Sequence, residues 1–230
     1  MKLVISNTEW ATGQKRELLN EIIFGLNPDI VCATEVRDDF YLENGNIIYS
    51  DNDYGYKTSK RYKVSLWSRN PWADVNTNLR DAPGGRFLSA NTTVDNTIVN
   101  MIGVCIPWKS AHVSTGNKNR KLWEDHISYI QALKNYLKEQ DIKPQIICGD
   151  MNQRIPKTIQ PNNVFELLQK CLINHQIITQ GTIKGIETNV IDHAAIKGFE
   201  SKNVYGISRI QNNIEMTDHD IVVCELNIKR

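Results

Sequence analysis

Gln145-Ile146-Ile147-Cys148-Gly149-Asp150-Met151-Asn152 is the stretch on which the fold turns. Residues 145–148 read as a buried strand, and Gly149 permits close backbone approach. In an extended chain residues 150 and 152 project to the same side. Asp150, able to hold or deprotonate a water, then stands beside Asn152, able to orient it or to grip a phosphate oxygen. Taken alone, the same residues also suit an Asx turn after a strand.

Outward from this stretch, other polar signatures follow or interrupt apolar runs. Asn7 ends the first run and Glu35 the second; Ile191-Asp192-His193 comes later and Thr217-Asp218-His219 close to the end. A rigid sheet can aim polar groups at its strand ends into one pocket. Glu35 offers hard oxygen to a divalent ion, although by itself it reads as a surface glutamate and Asn7 as a turn residue. His219 can donate to a pentacoordinate phosphoryl group and, as imidazolium, supply positive charge. Asp192 can fix that ring's tautomer and orientation, and Asp218 can approach the metal or brace the site. Alternation sends His193 to the opposite face; His112, His126 and His175 read as structural or surface residues. Together these groups fit metal-assisted phosphate ester hydrolysis.

Strand-like runs recur at 2–7, 29–36, 63–68, 87–94, 98–106, 145–148, 190–196 and 221–228. Helical patterns lie between them. Residues 14–26 place Leu18, Leu19, Ile22, Ile23 and Leu26 on one face. Residues 119–140 carry Leu122, Ile127, Ile130, Leu133 and Leu137, and 164–172 repeat the pattern briefly. Pro28 and Pro144 close the first two regions before the next strand. Pro83-Gly84-Gly85 before Arg86-Phe87-Leu88 fits a hairpin turn. The pattern suggests two packed sheets with helices outside, while leaving a doubly wound sheet open.

The order and types of these residues resemble the endonuclease/exonuclease/phosphatase superfamily, the DNase I-like fold, nearly end to end. The resemblance implies an α+β four-layer α/β/β/α sandwich, two packed mixed sheets flanked by helices, in a single domain over residues 1–230. It implies a Mg²⁺ or Mn²⁺ ion near Glu35, Asn7 and Asp218, with Asp150, Asn152, Asp192 and His219 as catalytic residues. One position departs. Nuclease members usually carry a His or Tyr near Cys105, two residues before a proline, to help bind the phosphate. A thiol is a weak donor, so Trp108, Lys109 or His112 would stand in from the following loop. Basic rim candidates are Lys57, Lys60, Arg61 and Lys63, then Lys109, Lys118, Arg120 and Lys121, then Arg154 and Lys157; scattered solvated lysines fit equally well. Substrate-binding candidates are Trp108, Lys109, Arg120 and Cys105.

The expected function is a divalent-metal-dependent phosphodiesterase, a nuclease with DNA or RNA as its substrate. The alternatives are a phosphatase or phosphodiesterase of a small-molecule or lipid phosphate, and a non-catalytic binding protein of the same fold, which Cys105 alone supports. The separated tryptophans (Trp10, Trp67, Trp72, Trp108, Trp123) offer no long apolar loop to a bilayer, whereas Trp108 in its Pro-Trp-Lys loop suits stacking on a base.

Composition sets outer bounds. The 230 residues, 40% hydrophobic and 23% charged, are ordinary for a soluble globular chain. A net charge of +1 argues against attachment to nucleic acid or membrane by bulk charge. No apolar run approaches the ~20 residues of a membrane span, and the apolar start is too short for a signal peptide. The 5 cysteines are odd in number and lack CxxC spacing. Reduced, buried thiols in a cytoplasmic protein are the simplest reading. With no coiled-coil pattern, a monomer is assumed.

Overall fold

The computed structural model describes residues 1–40, 43–55, 60–111, 119–140, 142 and 144–229. Lys57, His112 and Lys118 lie outside the described residues. In chain order the elements are β1 (Lys2–Asn7), α1 (Gly13–Gly25), β2 (Ile30–Arg37), β3 (Asn46–Tyr49), β4 (Arg61–Ser68), β5 (Ala73–Asn76), β6 (Phe87–Val94) and β7 (Thr97–Cys105). There follow α2 (Glu124–Glu139), β8 (Gln145–Asp150), α3 (Asn162–Cys171), β9 (Gln176–Ile177), β10 (Asp192–Lys197), β11 (Phe199–Ile207), β12 (Ile210–Gln211), β13 (Ile214–Glu215) and β14 (Ile221–Ile228).

The strands form two six-stranded mixed sheets, ordered β11-β14-β1-β2-β4-β3 and β5-β6-β7-β8-β10-β9, plus the small β12-β13 ribbon. Each large sheet holds one parallel pair at its centre, β1 with β2 and β7 with β8, and antiparallel partners elsewhere. Alternation along the central strands builds the layers. Leu3, Ile5, Ile30, Cys32, Met101, Ile146, Cys148 and Cys224 meet between the sheets. Val4, Val31 and Val223 face outward and pack with Leu19 and Ile23 of α1. On the opposite outer face Ile102, Val104 and Ile147 pack with Tyr129, Ile130 and Leu133 of α2 and Leu168 of α3. This is the expected α/β/β/α sandwich; strands covered on both faces are apolar throughout, which is why their runs stand out in the sequence.

The short strands β3, β5, β9, β12 and β13 fall outside the runs read as strands, and two longer elements also differ from the sequence expectation. The long helix starts at Glu124, after Trp123 with a φ of 68°, not at 119, and Leu122 is exposed rather than part of the apolar face. The chain after β10 makes another long strand, β11, where the polar sequence Glu200-Ser201-Lys202-Asn203 gives no strand signal. At the edge of its sheet it pairs with β14, Lys184 bridges Tyr205 on its other side with the Gly206 N–H donating to the Lys184 carbonyl at 2.8 Å, and its register shifts between Ser201 and Asn203. No helix among the described residues is long and apolar enough to cross a membrane. All five cysteines are buried and unpaired.

Candidate active site

The parallel pairs send the carboxyl ends of β1, β2, β7 and β8 to the site, where β10 and β14 begin. One cavity of about 470 Å³ opens there, lined among others by Asn7, Glu35, Cys105, Trp108, Asp150, Asn152, Asp218 and His219. Asp192 stands behind His219, and both border an adjoining cavity of about 300 Å³.

Asp150 is the last residue of β8 and is buried. Its Oδ1 accepts the Asn152 backbone N–H at 2.9 Å; its Oδ2 accepts the amides of Asn152 at 3.0 Å and Asn7 at 3.3 Å. Asn152 therefore reaches Asp150 through an Asx turn, with φ at 51°, rather than through the extended alternation expected from the sequence. Its amide also donates to the Ile106 carbonyl at 2.9 Å. Gly149 makes this possible: at φ 125° its backbone lies so close to β7 that a Cβ would sit 2.2 Å from the Val104 carbonyl oxygen. Burial, with the charges of Asp192 and Glu35, outweighs His219 and the Asn152 backbone hydrogen bond, raising the Asp150 carboxyl to about 7.

Asn7 continues the inward face of Leu3 and Ile5. Its Oδ1 accepts the Glu9 N–H at 2.9 Å, and its backbone carbonyl accepts the Thr217 hydroxyl at 2.9 Å, tying β1 to the chain that carries His219. Strict alternation would send Glu35 outward with Val31 and Ala33. A φ of 53° at Glu35 breaks that alternation, so its carboxylate lines the cavity while Val36 rejoins the outer cluster. Lys63 on β4 pairs with Glu35 Oε1 at 2.5 Å and lies over the rings of Trp10 (5.0 Å) and Tyr54 (5.3 Å).

His219 Nδ1 donates to Asp192 Oδ2 at 2.5 Å, and its Nε2 is 3.5 Å from Asp218 Oδ1. Burial disfavours the imidazolium, but the charge and hydrogen bond of Asp192, backed by Asp150 and Asp218, win and raise the ring to about 10. Asp218 is itself largely exposed, at the cavity edge. His193 points away: its Nδ1 bonds the Thr179 hydroxyl and its Nε2 the Gln153 carbonyl, each at 2.9 Å.

Burial pushes the Cys105 thiol up to about 12, so it is neutral. Lys109 does not line the 470 Å³ cavity; it borders a smaller one next door. Arg120 lines neither, because Glu124 (3.1 Å) and Asp125 (3.5 Å) hold its guanidinium at the start of α2. Sequence reasoning passed over Arg86, which follows the Gly-Gly turn into β6. It lines the catalytic cavity, is only 8% exposed, and its Nε has no hydrogen-bond partner among the described residues. Its backbone is fixed by Tyr129 OH (2.7 Å) and the Cys105 N–H (3.0 Å), both donating to its carbonyl. The available signal was a cation directly after a tight turn, at a strand start.

The donor set fits a divalent ion. Glu35, Asp150 and Asp192 crowd negative charge into one region, the repulsion that helps raise Asp150, and Asp192 Oδ1 is buried without a hydrogen-bond partner among the described residues. Among the described residues no group of three or more His, Cys, Asp or Glu side chains is placed to hold a metal ion by itself, so any ion here would need waters or substrate oxygens among its ligands.

Solved structures share the architecture. An AP endonuclease from Archaeoglobus fulgidus superposes with a TM-score of 0.74 at 15% identity, covering 99% of this chain and 100% of that one. A 3′ phosphatase from Neisseria, bound to product DNA hairpin, gives 0.67 at 17% identity and 99% coverage of each. A mannosyl-6-phosphatase from Bacteroides thetaiotaomicron gives 0.66 at 14%, covering 99% and 100%. At these identities the likeness is one of fold. No curated protein matches the sequence. The sequence itself matches the model of the Endonuclease/Exonuclease/phosphatase family over residues 6–194, from just before Asn7 to just beyond Asp192, and the chain belongs to that family of phosphoester hydrolases.

Proposed function

We propose that this protein is a divalent-metal-dependent phosphodiesterase, a nuclease acting on DNA or RNA. The observation that carries the reading is the convergence, at one cavity, of an Asp150 carboxyl held by the amides of Asn7 and Asn152 with a His219 imidazole held by Asp192. A base works best with a pKa near the working pH, and Asp150 is fixed by the amides of Asn7 and Asn152 in position to take a proton from an attacking water. His219, oriented by Asp192, presents Nε2 to a phosphoryl oxygen and offsets charge that builds there. The Arg86 guanidinium supplies the cavity with a cation that Cys105 cannot. Glu35, with Asn7 and Asp218 beside it, would hold the metal, which when bound polarises the phosphoryl oxygens as a Lewis acid.

The AP endonuclease and the DNA-bound 3′ phosphatase support nucleic acid as the substrate; the mannosyl-6-phosphatase marks sugar phosphates as the class to test against it. The unpaired, buried cysteines support a reducing, cytoplasmic compartment. The test is hydrolysis of DNA, RNA, a simple phosphodiester and phosphomonoesters with Mg²⁺, Mn²⁺ or chelator. Metal-dependent cleavage of polynucleotide is expected. Turnover confined to monoesters would move the protein to the phosphatase branch, and no turnover on any substrate would overturn the reading.

A further inference from the structure

Next to the catalytic cavity lies a second one of about 180 Å³, which shares Trp108, Asn152 and Ile191 with it and adds Trp123, Arg154 and Ile159. Two of its apolar walls face water. Trp108 is 44% exposed and Ile159 is 76% exposed. The Trp108 backbone is nonetheless tightly held. Four successive carbonyls all accept hydrogen bonds: Ile106 from the Asn152 amide (2.9 Å), Pro107 from His126 Nδ1 (2.7 Å), Trp108 from the Ala111 N–H (2.9 Å) and Lys109 from the Trp123 N–H (2.8 Å). The His126 ring is locked in this role, since Gln153 Nε2 donates to its Nε2 at 2.8 Å, and burial lowers the ring to about 4, keeping it neutral. The backbone that presents the exposed indole is thus held at the wall of the larger cavity. Lys109 and Arg154 line the same cavity as Trp108, and Arg154 also borders the cavity of His219.

The geometry points to a nucleobase subsite here, resting on the phosphodiesterase reading above: the base next to the scissile phosphate stacks on Trp108, with Lys109 and Arg154 beside the flanking phosphate. An exposed aromatic face on a held backbone with cations nearby is the means by which single strands are held without sequence readout. The cavity takes one base, and a base that enters it has left its duplex neighbours. The substrate class is therefore unpaired polynucleotide, and duplex is the poorer ligand.

The test separates this inference from the reading beneath it. Binding of a fluorescent single-stranded oligonucleotide and of a hairpin duplex is measured in chelator, with hydrolysis of methyl 4-nitrophenyl phosphate measured separately in Mg²⁺. The single strand should bind more tightly than the duplex. Trp108→Ala should weaken single-strand binding about 5- to 150-fold, the worth of one stacked base, while Trp108→Phe retains it. Equal affinity for the two forms, or no loss in Trp108→Ala, overturns the subsite. So does binding of neither form by a parent protein that cleaves the simple diester, an outcome that leaves the hydrolase reading standing. Failure to hydrolyse any phosphoester overturns the hydrolase reading, and the subsite with it.

Discussion

The imidazole of His219 and the carboxylate of Asp192, 27 positions apart in the chain, share a 2.5 Å hydrogen bond from Nδ1 to Oδ2. Asp192 begins β10 directly opposite Asp150 in register, and His219 lies just before β14, so this bond joins the two sheets across the open end of the sandwich. It raises the ring to about 10, against burial. The imidazolium's contribution to stability is thus fully present below the ordinary histidine value of 6.5 and is lost as pH rises from there through 10. In chelator, the parent's Tm should fall across that window, and His219→Gln should flatten the fall. In Asp192→Asn the alkaline limb of the kcat profile should move from near 10 toward neutrality, because the ring loses its main anionic partner. Coincident alkaline limbs in parent and variant would contradict the assignment.

Glu35 reaches the cavity only through its left-handed backbone and already gives one oxygen to Lys63. Glu35→Gln removes the carboxylate proposed to hold the metal. Calorimetric titration with Mn²⁺ should show affinity falling by about tenfold or more, since even removing a residue that only orients a ligand commonly costs 10- to 100-fold. Unchanged affinity would place the ion on other residues.

Arg86 carries a buried guanidinium whose Nε lacks a partner. Arg86→Met keeps much of the side-chain volume and removes the charge. A charge-assisted hydrogen bond contributes roughly 1.5–3 kcal/mol, so kcat/KM should fall by about 10- to 100-fold. If the guanidinium grips the substrate before reaction, the loss appears in KM; if it acts only on the developing charge, it appears in kcat. A variant with the parent's kcat/KM would remove Arg86 from the site.

Gly149→Ala should be among the most damaging single changes in the core. The new Cβ would meet the Val104 carbonyl at 2.2 Å, and a φ of 125° is strained for any side chain. Neither strand can retreat without breaking the β7–β8 ladder, so a loss of about 4 kcal/mol or more is expected in denaturant titration. A loss below about 1 kcal/mol would show that the ladder yields more easily than its packing suggests.

Much of this was legible in the sequence for a physical reason. Central strands covered on both faces must be apolar, so β1, β2, β7, β8 and β14 appear as runs, and a polar residue that ends such a run stands out. Asn7, Glu35, Asp150 and His219 are visible in that way. The rest depends on geometry that local pattern does not encode. The turn of Glu35 into the cavity comes from one positive φ, and the hold of Asn152 on Asp150 from an Asx turn. Arg86 looks like any cation after a turn until the fold buries it, and Arg120 looks available until Glu124 and Asp125 claim it. Only Phe199 of β11 is buried, so the strand carries no apolar run and resembles a loop.

Asp150 bears the central claim, and the direct measurement is kcat for a phosphodiester in Mg²⁺ by the parent and by Asp150→Asn, with Tm recorded in chelator at pH 8. Asparagine preserves shape and removes the proton acceptor, so turnover should fall by about 10²- to 10⁴-fold. The Tm shows whether the variant folds: relief of the buried charge, whose cost is complete by pH 8, opposes the loss of one acceptor oxygen facing the amides of Asn7 and Asn152. Turnover equal to the parent's in a folded Asp150→Asn protein would contradict the account at its centre.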